Sequence, residues 1–215
     1  MSTQSPPPSR RRRLALPVVL AGSVASLILA LGLSPTVAAF TARIENTVNT
    51  AGSGTLIMQE SDSTGNVICE STDSSSNSAT CSTINKYGGT LTMTPGQTVT
   101  TSISIKNIGT ASASSFTLTP GSCTQSANGT PTGSATDMCS KMTLVVTSGS
   151  TTIYSGSLSA FASGVDILSK LGTTSVAPSA TVPFSFAVTL PSGLGNAYAG
   201  LQVSQPLTWN SSAGS

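Results

Sequence analysis

Apolar and polar residues alternate along most of this chain, and that alternation limits the folds it can adopt. In the run QTVTTSISIKN (97–107), Val99, Ile103 and Ile105 lie on one side, and hydroxyl-bearing residues fill most of the other. The run VPFSFAVTL (182–190) repeats the pattern with larger side chains. A period of two residues is typical of a β-strand that buries one face. We therefore expect a protein built from half-buried strands.

Similar runs recur along the chain and are separated by turns rich in Gly, Pro, Asn and Ser. The abundance of Thr and Val, with few helix-forming residues, also favours sheet. The last run contains Pro206, which predicts an edge strand or a bulge there. The predicted strands cover 54–59, 66–70, 89–93, 97–107, 114–120, a hairpin over 141–156 that turns at 148–150, 182–190 and 197–209.

The first 39 residues carry the pattern of a secretory signal peptide. Four arginines precede a long apolar run, and small residues follow it. We expect cleavage after Ala38 or Ala39. The alternative is an uncleaved anchor, because the apolar run approaches the roughly 20 residues that can span a bilayer.

Removal of the leader changes the sign of the net charge. The whole chain has a net charge of +2, but residues 40–215 hold five basic and seven acidic residues, a net charge of −2. The basic residues of the leader therefore serve targeting, and no nucleic-acid partner is expected. Contact with a membrane is expected only through the leader, before cleavage.

One stretch departs from the strand pattern. LSAFASGVDILSKLG (158–172) spaces its apolar residues close to a helical period and ends in Gly172, a residue suited to a helix C-cap. We expect a short helix or two helical turns. The predicted fold is all-β: a two-sheet, jelly-roll-like sandwich over 53–215 with one short helical insert, preceded by a signal-peptide helix over 1–39.

Four cysteines follow the leader, an even number that favours disulfides in an exported protein. Three pairings are open. We expect the local one, Cys69 with Cys81 and Cys123 with Cys139, because each pair brackets a polar loop. A metal site is disfavoured, since the spacings contain no C-x-x-C and the chain has no histidine.

The segment directly after the leader, residues 40–48, also has the alternating pattern of a strand. Phe40, Ala42, Ile44 and Val48 lie on one side, and only Asn46 interrupts the row. Chain termini are usually the least ordered part of a domain, so this pattern needs an explanation. In one interpretation, the segment is simply the first strand of its own sandwich.

Several stretches of the chain resemble the TasA/camelysin family of secreted bacterial surface proteins. The similar parts are AAF at the end of the leader, ENTVNTAGSGTLIM, LTMTPGQTVTTSISIKNIGTASASSFTLT and LPSGLGNAYAGLQVSQPLTW, in that order. The resemblance implies a jelly-roll fold and assembly into fibres of the biofilm matrix, in which the N-terminal strand of one subunit completes a sheet of the next. It therefore implies that 40–52 is a donor segment, with Phe40, Ala42, Ile44 and Val48 as the assembly strand. The two cysteine pairs depart from the best-known members.

The composition argues against most catalytic chemistry. A chain without histidine cannot form an H-E-x-x-H zinc site or a Ser-His-Asp triad. A carboxylate pair, Glu60 with Asp62 or Glu70 with Asp73, stays open for glycoside hydrolysis. A Ca²⁺ site at Asp62, Asp73 or Asp137 also stays open, although solvated loop acids are the simpler interpretation. Trp209, Phe184 and Phe186 could line a carbohydrate platform, but alternating strands favour the core. We expect no enzyme activity and no cofactor.

Together these features predict a secreted, non-enzymatic structural protein of the cell surface or biofilm matrix. Its expected partner is a second copy of itself, joined by β-strand addition, and an accessory surface protein is a further expected partner. The first alternative is a monomeric adhesion module tethered by an uncleaved leader. The second is a hydrolase with a carboxylate site.

Overall fold

The computed structural model describes residues 44–45, 49–73 and 76–214. The chain divides into a unit over 1–51 and a compact unit over Gly52–Ser215, and all the strands and helices given below belong to the second. The predicted signal-peptide helix, and Phe40, Ala42 and Val48 of the predicted assembly strand, lie outside the described residues.

Short strands joined by turns make up most of the described chain. The strands are β1 Met58–Asp62, β2 Ile68–Glu70, β3 Thr98–Asn107, β4 Ala113–Pro120, β5 Thr124–Ala127, β6 Thr143–Ser148, β7 Thr151–Ser157, β8 Val165–Asp166, β9 Thr181–Thr189, β10 Leu201–Ser204 and β11 Leu207–Ala213. Two short α-helices are α1 Met138–Lys141 and α2 Ile167–Leu171, and 3-10 turns cover Ser71–Asp73 and Asn196–Tyr198.

The strands form antiparallel sheets of unequal size. A six-stranded sheet has the order β2-β1-β3-β9-β6-β7, a three-stranded sheet has the order β11-β4-β8, and β10 pairs with β5. The long β3–β9 ladder, from Thr98 opposite Thr189 to Lys106 opposite Thr181, is central to the large sheet. Alternate side chains of both strands, such as Ile103, Ile105 and Phe184, are buried.

Aromatic side chains join the two larger sheets face to face. Phe116 on β4 lies 6.1 Å from Phe184 on β9, measured between ring centroids. Trp209 on β11 lies 4.7 Å from Phe184 and 5.4 Å from Phe116. Phe116, Phe184 and Phe186 are at most 2% exposed. The predicted all-β, sandwich-like fold is therefore confirmed, and these aromatics pack in the core.

The predicted stretch 158–172 is only partly helical. α2 occupies its second half, the Asp166 carboxylate accepts a hydrogen bond from the Ser169 amide at 3.1 Å, and Gly172 ends the helix in the left-handed conformation. Leu158 and Phe161 are buried, but they lie in a turn after β7. A second helix, α1, was not predicted. It carries Cys139 and follows a polar loop with no helical pattern.

Three strand predictions need correction. The strand predicted over 54–59 starts only at Met58 and continues to Asp62 as β1. Residues 89–93 are not a strand, because Gly88 and Gly89 both adopt positive φ values and turn the backbone out of the extended conformation. The run 197–209 is not continuous: a 3-10 turn opens it, and Gln205 and Pro206 separate β10 from β11. Pro206 carries no amide proton for a ladder, so the chain changes sheets at that point.

Both predicted disulfides are confirmed. Cys69 on β2 is bonded to Cys81, with a Cα–Cα distance of 5.8 Å, and Cys123 is bonded to Cys139, with a Cα–Cα distance of 6.0 Å. Two local disulfides indicate folding in an oxidising environment. In the part of the chain that the structure describes, no helix is long and apolar enough to cross a membrane.

The contact between the sheets predicts a large effect of truncating its central ring. Phe116 is fully buried between Phe184 and Trp209, so Phe116→Ala leaves a cavity that the sheets cannot close. We expect a loss of about 3–5 kcal/mol in the free energy of unfolding, measured by urea denaturation. Ile68→Ala, at a side chain that is 50% exposed, is the control and should change stability by under about 1 kcal/mol.

Candidate functional site

An open cleft of about 1060 Å³ lies within the second unit. One wall is the inner face of the large sheet, with Met58 and Glu60 of β1 and Ile105 of β3. The opposite wall consists of residues within 194–211, which include all of β10 and most of β11. Residues within 77–95, from the segment between β2 and β3, form the third wall. We call this space the cleft.

One edge of β11 faces away from its partner strand. The Pro206 carbonyl accepts from the Gly121 amide at 2.8 Å, and the Ser212 amide donates to the Ser115 hydroxyl at 3.1 Å, so both residues direct their backbone groups toward β4. Backbone directions alternate along a strand. The backbone groups of Leu207, Trp209 and Ser211 therefore point away from β4.

This outward edge borders the cleft. All five residues from Leu207 to Ser211 line it, although their side chains alternate between the two faces of the strand. Among the described residues, no hydrogen bond outside the β4 ladder involves the backbone groups of Leu207, Trp209 or Ser211. The cleft therefore offers donors and acceptors in the spacing of a strand, beside partly buried apolar side chains.

Trp209 is the largest side chain in this wall. Its ring packs on Phe184 and Phe116 and meets Phe186 edge-on at 6.4 Å. Its indole Nε1 is buried and has no hydrogen-bond partner among the described residues. Since the chain has a single tryptophan, the fluorescence of Trp209 reports on the cleft without labelling.

A buried ion pair joins the third wall of the cleft to β1 in the first wall. Lys86 Nζ lies 2.7 Å from Glu60 Oε1, and the two side chains are only 10% and 9% exposed. The next residue, Tyr87, donates its hydroxyl proton to Gln205 Oε1 at 2.8 Å. Burial, with a smaller contribution from Tyr154, raises the pKa of the Tyr87 hydroxyl above its usual range, so it remains a donor at neutral pH.

Gln205 connects that contact to the rest of the fold. Its side-chain amide donates to the carbonyl oxygens of Gly121 and Phe161, each at 2.8 Å. The residue just before the β11 edge is thus held by three elements: the segment after β2, the end of β4 and the turn after β7. The start of the edge is therefore fixed in place.

The cleft is also tied to α1 at its far side. The Tyr198 hydroxyl donates to Asp137 Oδ1 at 2.8 Å, and Lys141 Nζ lies 3.4 Å from Asp137 Oδ2. The Tyr198 hydrogen bond is the main cause that lowers the pKa of Asp137, and Lys141 contributes. The same bond raises the pKa of Tyr198.

The acids proposed for metal or hydrolase sites are engaged elsewhere or dispersed. Asp62 accepts from the Thr64 hydroxyl at 2.7 Å and the Val67 amide at 3.2 Å, bonds that shape the β1–β2 turn and lower its pKa. Glu70 accepts from Gln59 Nε2 at 2.8 Å. Within 44–45, 49–73 and 76–214, no three His, Cys, Asp or Glu residues are grouped as they would be to hold a metal ion.

Of the predicted assembly strand, Ile44 alone is described. It is 99% exposed and lies in no strand. Sequence patterns did not single out Lys86 and Tyr87, because they lie in a turn without periodicity. Gln205 was not singled out because it falls within the predicted strand 197–209, where it is an ordinary polar residue. A Lys-Tyr pair in a weakly charged polar loop was the one available signal.

The chain matches no known protein-family model, and no curated protein shows significant sequence similarity to it.

The Tyr198 bond predicts the acid behaviour of Asp137. Because the folded pKa is lowered, ionisation of Asp137 favours folding above its usual pKa of about 3.9, and this effect is lost as pH falls through the lower folded value. We expect Tyr198→Phe to raise the pKa of Asp137 toward the usual value, measured by NMR titration of its carboxyl carbon. The pKa of Asp62, which has other partners, should not move. An unchanged Asp137 titration would contradict this role of Tyr198.

Proposed function

We propose that the mature protein is a secreted, non-enzymatic structural protein that assembles into cell-surface fibres by strand addition. In this proposal, residues 40–48 of one copy pair with the outward edge of β11 in the next copy. The observation that carries it is the row of backbone groups on β11 that have no hydrogen-bond partner among the described residues and that border the cleft. An exposed strand edge is a ready template for another chain.

The donor segment 40–48 is long enough to span β11, and it carries a row of apolar side chains. β11 has seven residues, about 24 Å at 3.4 Å per residue, and the nine residues 40–48 extend over about 31 Å. The row Phe40, Ala42, Ile44 and Val48 supplies apolar side chains on one face. Burial of the three larger ones would contribute about 1.5–3 kcal/mol each before ordering costs.

The connection to the sandwich also supports donation. Residues 51–54 read Ala-Gly-Ser-Gly, a flexible composition. From Thr55 the chain is held: the Thr55 carbonyl accepts from the amides of Thr110 and Ala111 at 2.8 and 2.9 Å, and the Ile57 carbonyl accepts from Ile108. A short flexible linker ahead of this anchor would let the apolar segment reach a neighbouring molecule.

The family resemblance supports the same assignment, and the chemistry leaves few enzymatic alternatives. The chain contains no histidine. The Glu60 carboxylate that faces the cleft is ion-paired with Lys86 rather than placed opposite a second carboxylate. We therefore propose a role in which the cleft holds a strand and not a substrate.

A charge in the donor row should stop assembly. We expect Ile44→Asp to leave the mature protein monomeric, because it would place a carboxylate against the apolar wall of the cleft. The matched control is Thr41→Asp, which puts the same charge on the opposite face of the segment and should assemble like the wild type. Light scattering and electron microscopy of purified mature protein over a range of concentrations measure both.

Two outcomes would contradict the proposal. Wild-type protein that stays monomeric over a wide concentration and pH range would show that the segment does not join copies. Deletion of 40–48 that unfolds the domain would show that the segment is the first strand of its own sandwich.

The acceptor edge can be tested separately from the donor. Proline at position 211 removes an amide proton that points away from β4, so the ladder within the sandwich should persist. We expect Ser211→Pro to abolish or strongly reduce polymerisation while the monomer remains folded by circular dichroism. Ser211→Ala, which keeps the amide, is the control and should polymerise normally. Equal polymerisation by the two variants would exclude this edge as the acceptor.

A further inference from the structure

A segment without strands supplies most of the third wall of the cleft. Residues 82–97, which we call the strap, connect Cys81 to β3, and no strand or helix is assigned within them. Ile84 is 8% exposed and belongs to the core, whereas Leu91 is 57% exposed. The strap is therefore partly packed and partly loose.

Side-chain contacts hold the strap across the cleft. Lys86 pairs with Glu60 on β1, and the Tyr87 hydroxyl donates to Gln205. Farther along, Asn128 Nδ2 donates to the Leu91 carbonyl at 2.6 Å. These three contacts are outside any β-ladder, so each can break without disrupting a sheet. The end of the strap is anchored separately, since Gly96 donates to the Leu190 carbonyl at 2.7 Å and the Leu190 amide donates to the Gln97 carbonyl at 3.0 Å.

The strap and the outward edge of β11 share one cleft. Residues from Ile84 to Pro95 and residues from Leu207 to Ser211 line the same space. Gln205, which binds Tyr87, stands two residues before Leu207, where the edge begins. A strand laid along the edge therefore meets the strap.

The Glu60–Lys86 pair is expected to contribute little to the folding stability of the domain, but its formation depends on the position of the strap. Glu60 occupies the inner face of β1, opposite Ile105 of β3, where it is 8% exposed and the neighbouring strand also buries Asn107. A buried ion pair often adds little to stability relative to apolar residues of similar size, because desolvation offsets the attraction. Its partner reaches it from the strap rather than from a sheet, so the pair depends on the position of the strap.

The backbone of the strap has a fixed start and a pivot. The Cys69–Cys81 disulfide ties its beginning to β2. Immediately after Tyr87, Gly88 and Gly89 both have positive φ values, a conformation that glycine adopts freely. Gly88 also lies close against Val99 of β3, where a larger residue would not fit. Release of Lys86 and Tyr87 therefore requires this glycine turn to move away from β3 while both ends of the strap stay attached.

We propose that the strap is a gate on the acceptor cleft: in the monomer it protects the edge of β11, and entry of the donor strand displaces it and breaks the Glu60–Lys86 and Tyr87–Gln205 contacts. The inference rests on the proposed function, since it concerns the same cleft. It adds that assembly has an opening step within the acceptor.

Trypsin cleavage after Lys86 tests the gate directly. Lys86 is nearly buried in the monomer, whereas Lys170 on α2 is exposed and serves as the internal reference. In the polymer we expect cleavage after Lys86, relative to Lys170, to rise at least tenfold, quantified by mass spectrometry. The mature Ile44→Asp protein, held monomeric, should keep the monomer value.

Loosening the strap should also speed assembly. Tyr87→Phe removes the hydroxyl that binds Gln205, and Glu60→Gln removes the charge that holds Lys86. The loss of one such bond should shorten the lag of polymerisation about fivefold and raise Lys86 cleavage in the monomer by a similar factor. The control is Thr64→Val, which removes a hydroxyl that donates to Asp62 in the β1–β2 turn outside the cleft and should leave both values unchanged.

The experiments distinguish failure of the proposed function from failure of the gate alone. Wild-type protein that never polymerises overturns the proposed function and the gate with it. Polymer in which Lys86 stays protected, with wild-type kinetics for Tyr87→Phe and Glu60→Gln, overturns the gate alone and makes the strap a fixed wall.

Discussion

The packing of Trp209 against Phe184 fixes the position of β11, and with it the strand edge that borders the cleft. This contact, at 4.7 Å between ring centroids, presses β11 onto the β9 strand of the large sheet. The side chain of Trp209 faces the core, and its backbone groups consequently face the sheet edge, because the two directions are coupled in an extended chain. The same residue thus joins the layers and presents the unpaired edge.

Most exposed edges of this protein are short or covered, and β11 differs from them. β2 has three residues and is tied to the next segment by the Cys69–Cys81 disulfide, while β8 has two residues and leads directly into α2. Such features limit pairing with other chains. β7, at the other edge of the large sheet, has seven residues like β11, but none of its residues lines the cleft, whereas five residues of β11 do. That difference is why we propose this edge as the acceptor.

Alternation predicted which strands exist and which way their side chains face, but not which strands pair. Phe184, Phe186 and Val188 are all buried, as their spacing predicts. β5 has the sequence TQSA, which contains no large apolar residue, and it was missed because only pairing with β10 defines it. Residues 89–93 show the opposite error: an alternating pattern fails where two glycines turn the chain. The free edge of β11 was also beyond sequence reasoning, since periodicity identifies faces and not neighbours.

In the proposed assembly, the strap resolves a conflict between export and polymerisation. A weakly charged chain is prone to association as soon as it folds if it carries a seven-residue strand edge whose outward groups have no partner among the described residues. A permanent covering strand would remove that risk and also remove the acceptor site. The strap is anchored by the Cys69–Cys81 disulfide at its start, by the buried Ile84 side chain and by backbone hydrogen bonds to Leu190 at its end. Between these anchors, Lys86, Tyr87 and Leu91 are held by one ion pair and two side-chain hydrogen bonds, contacts that contribute on the order of 1 kcal/mol each. A donor strand that buries several apolar side chains can outweigh them, whereas a weakly matching peptide cannot. In the proposed assembly, the cost of opening the strap therefore sets the selectivity of the cleft.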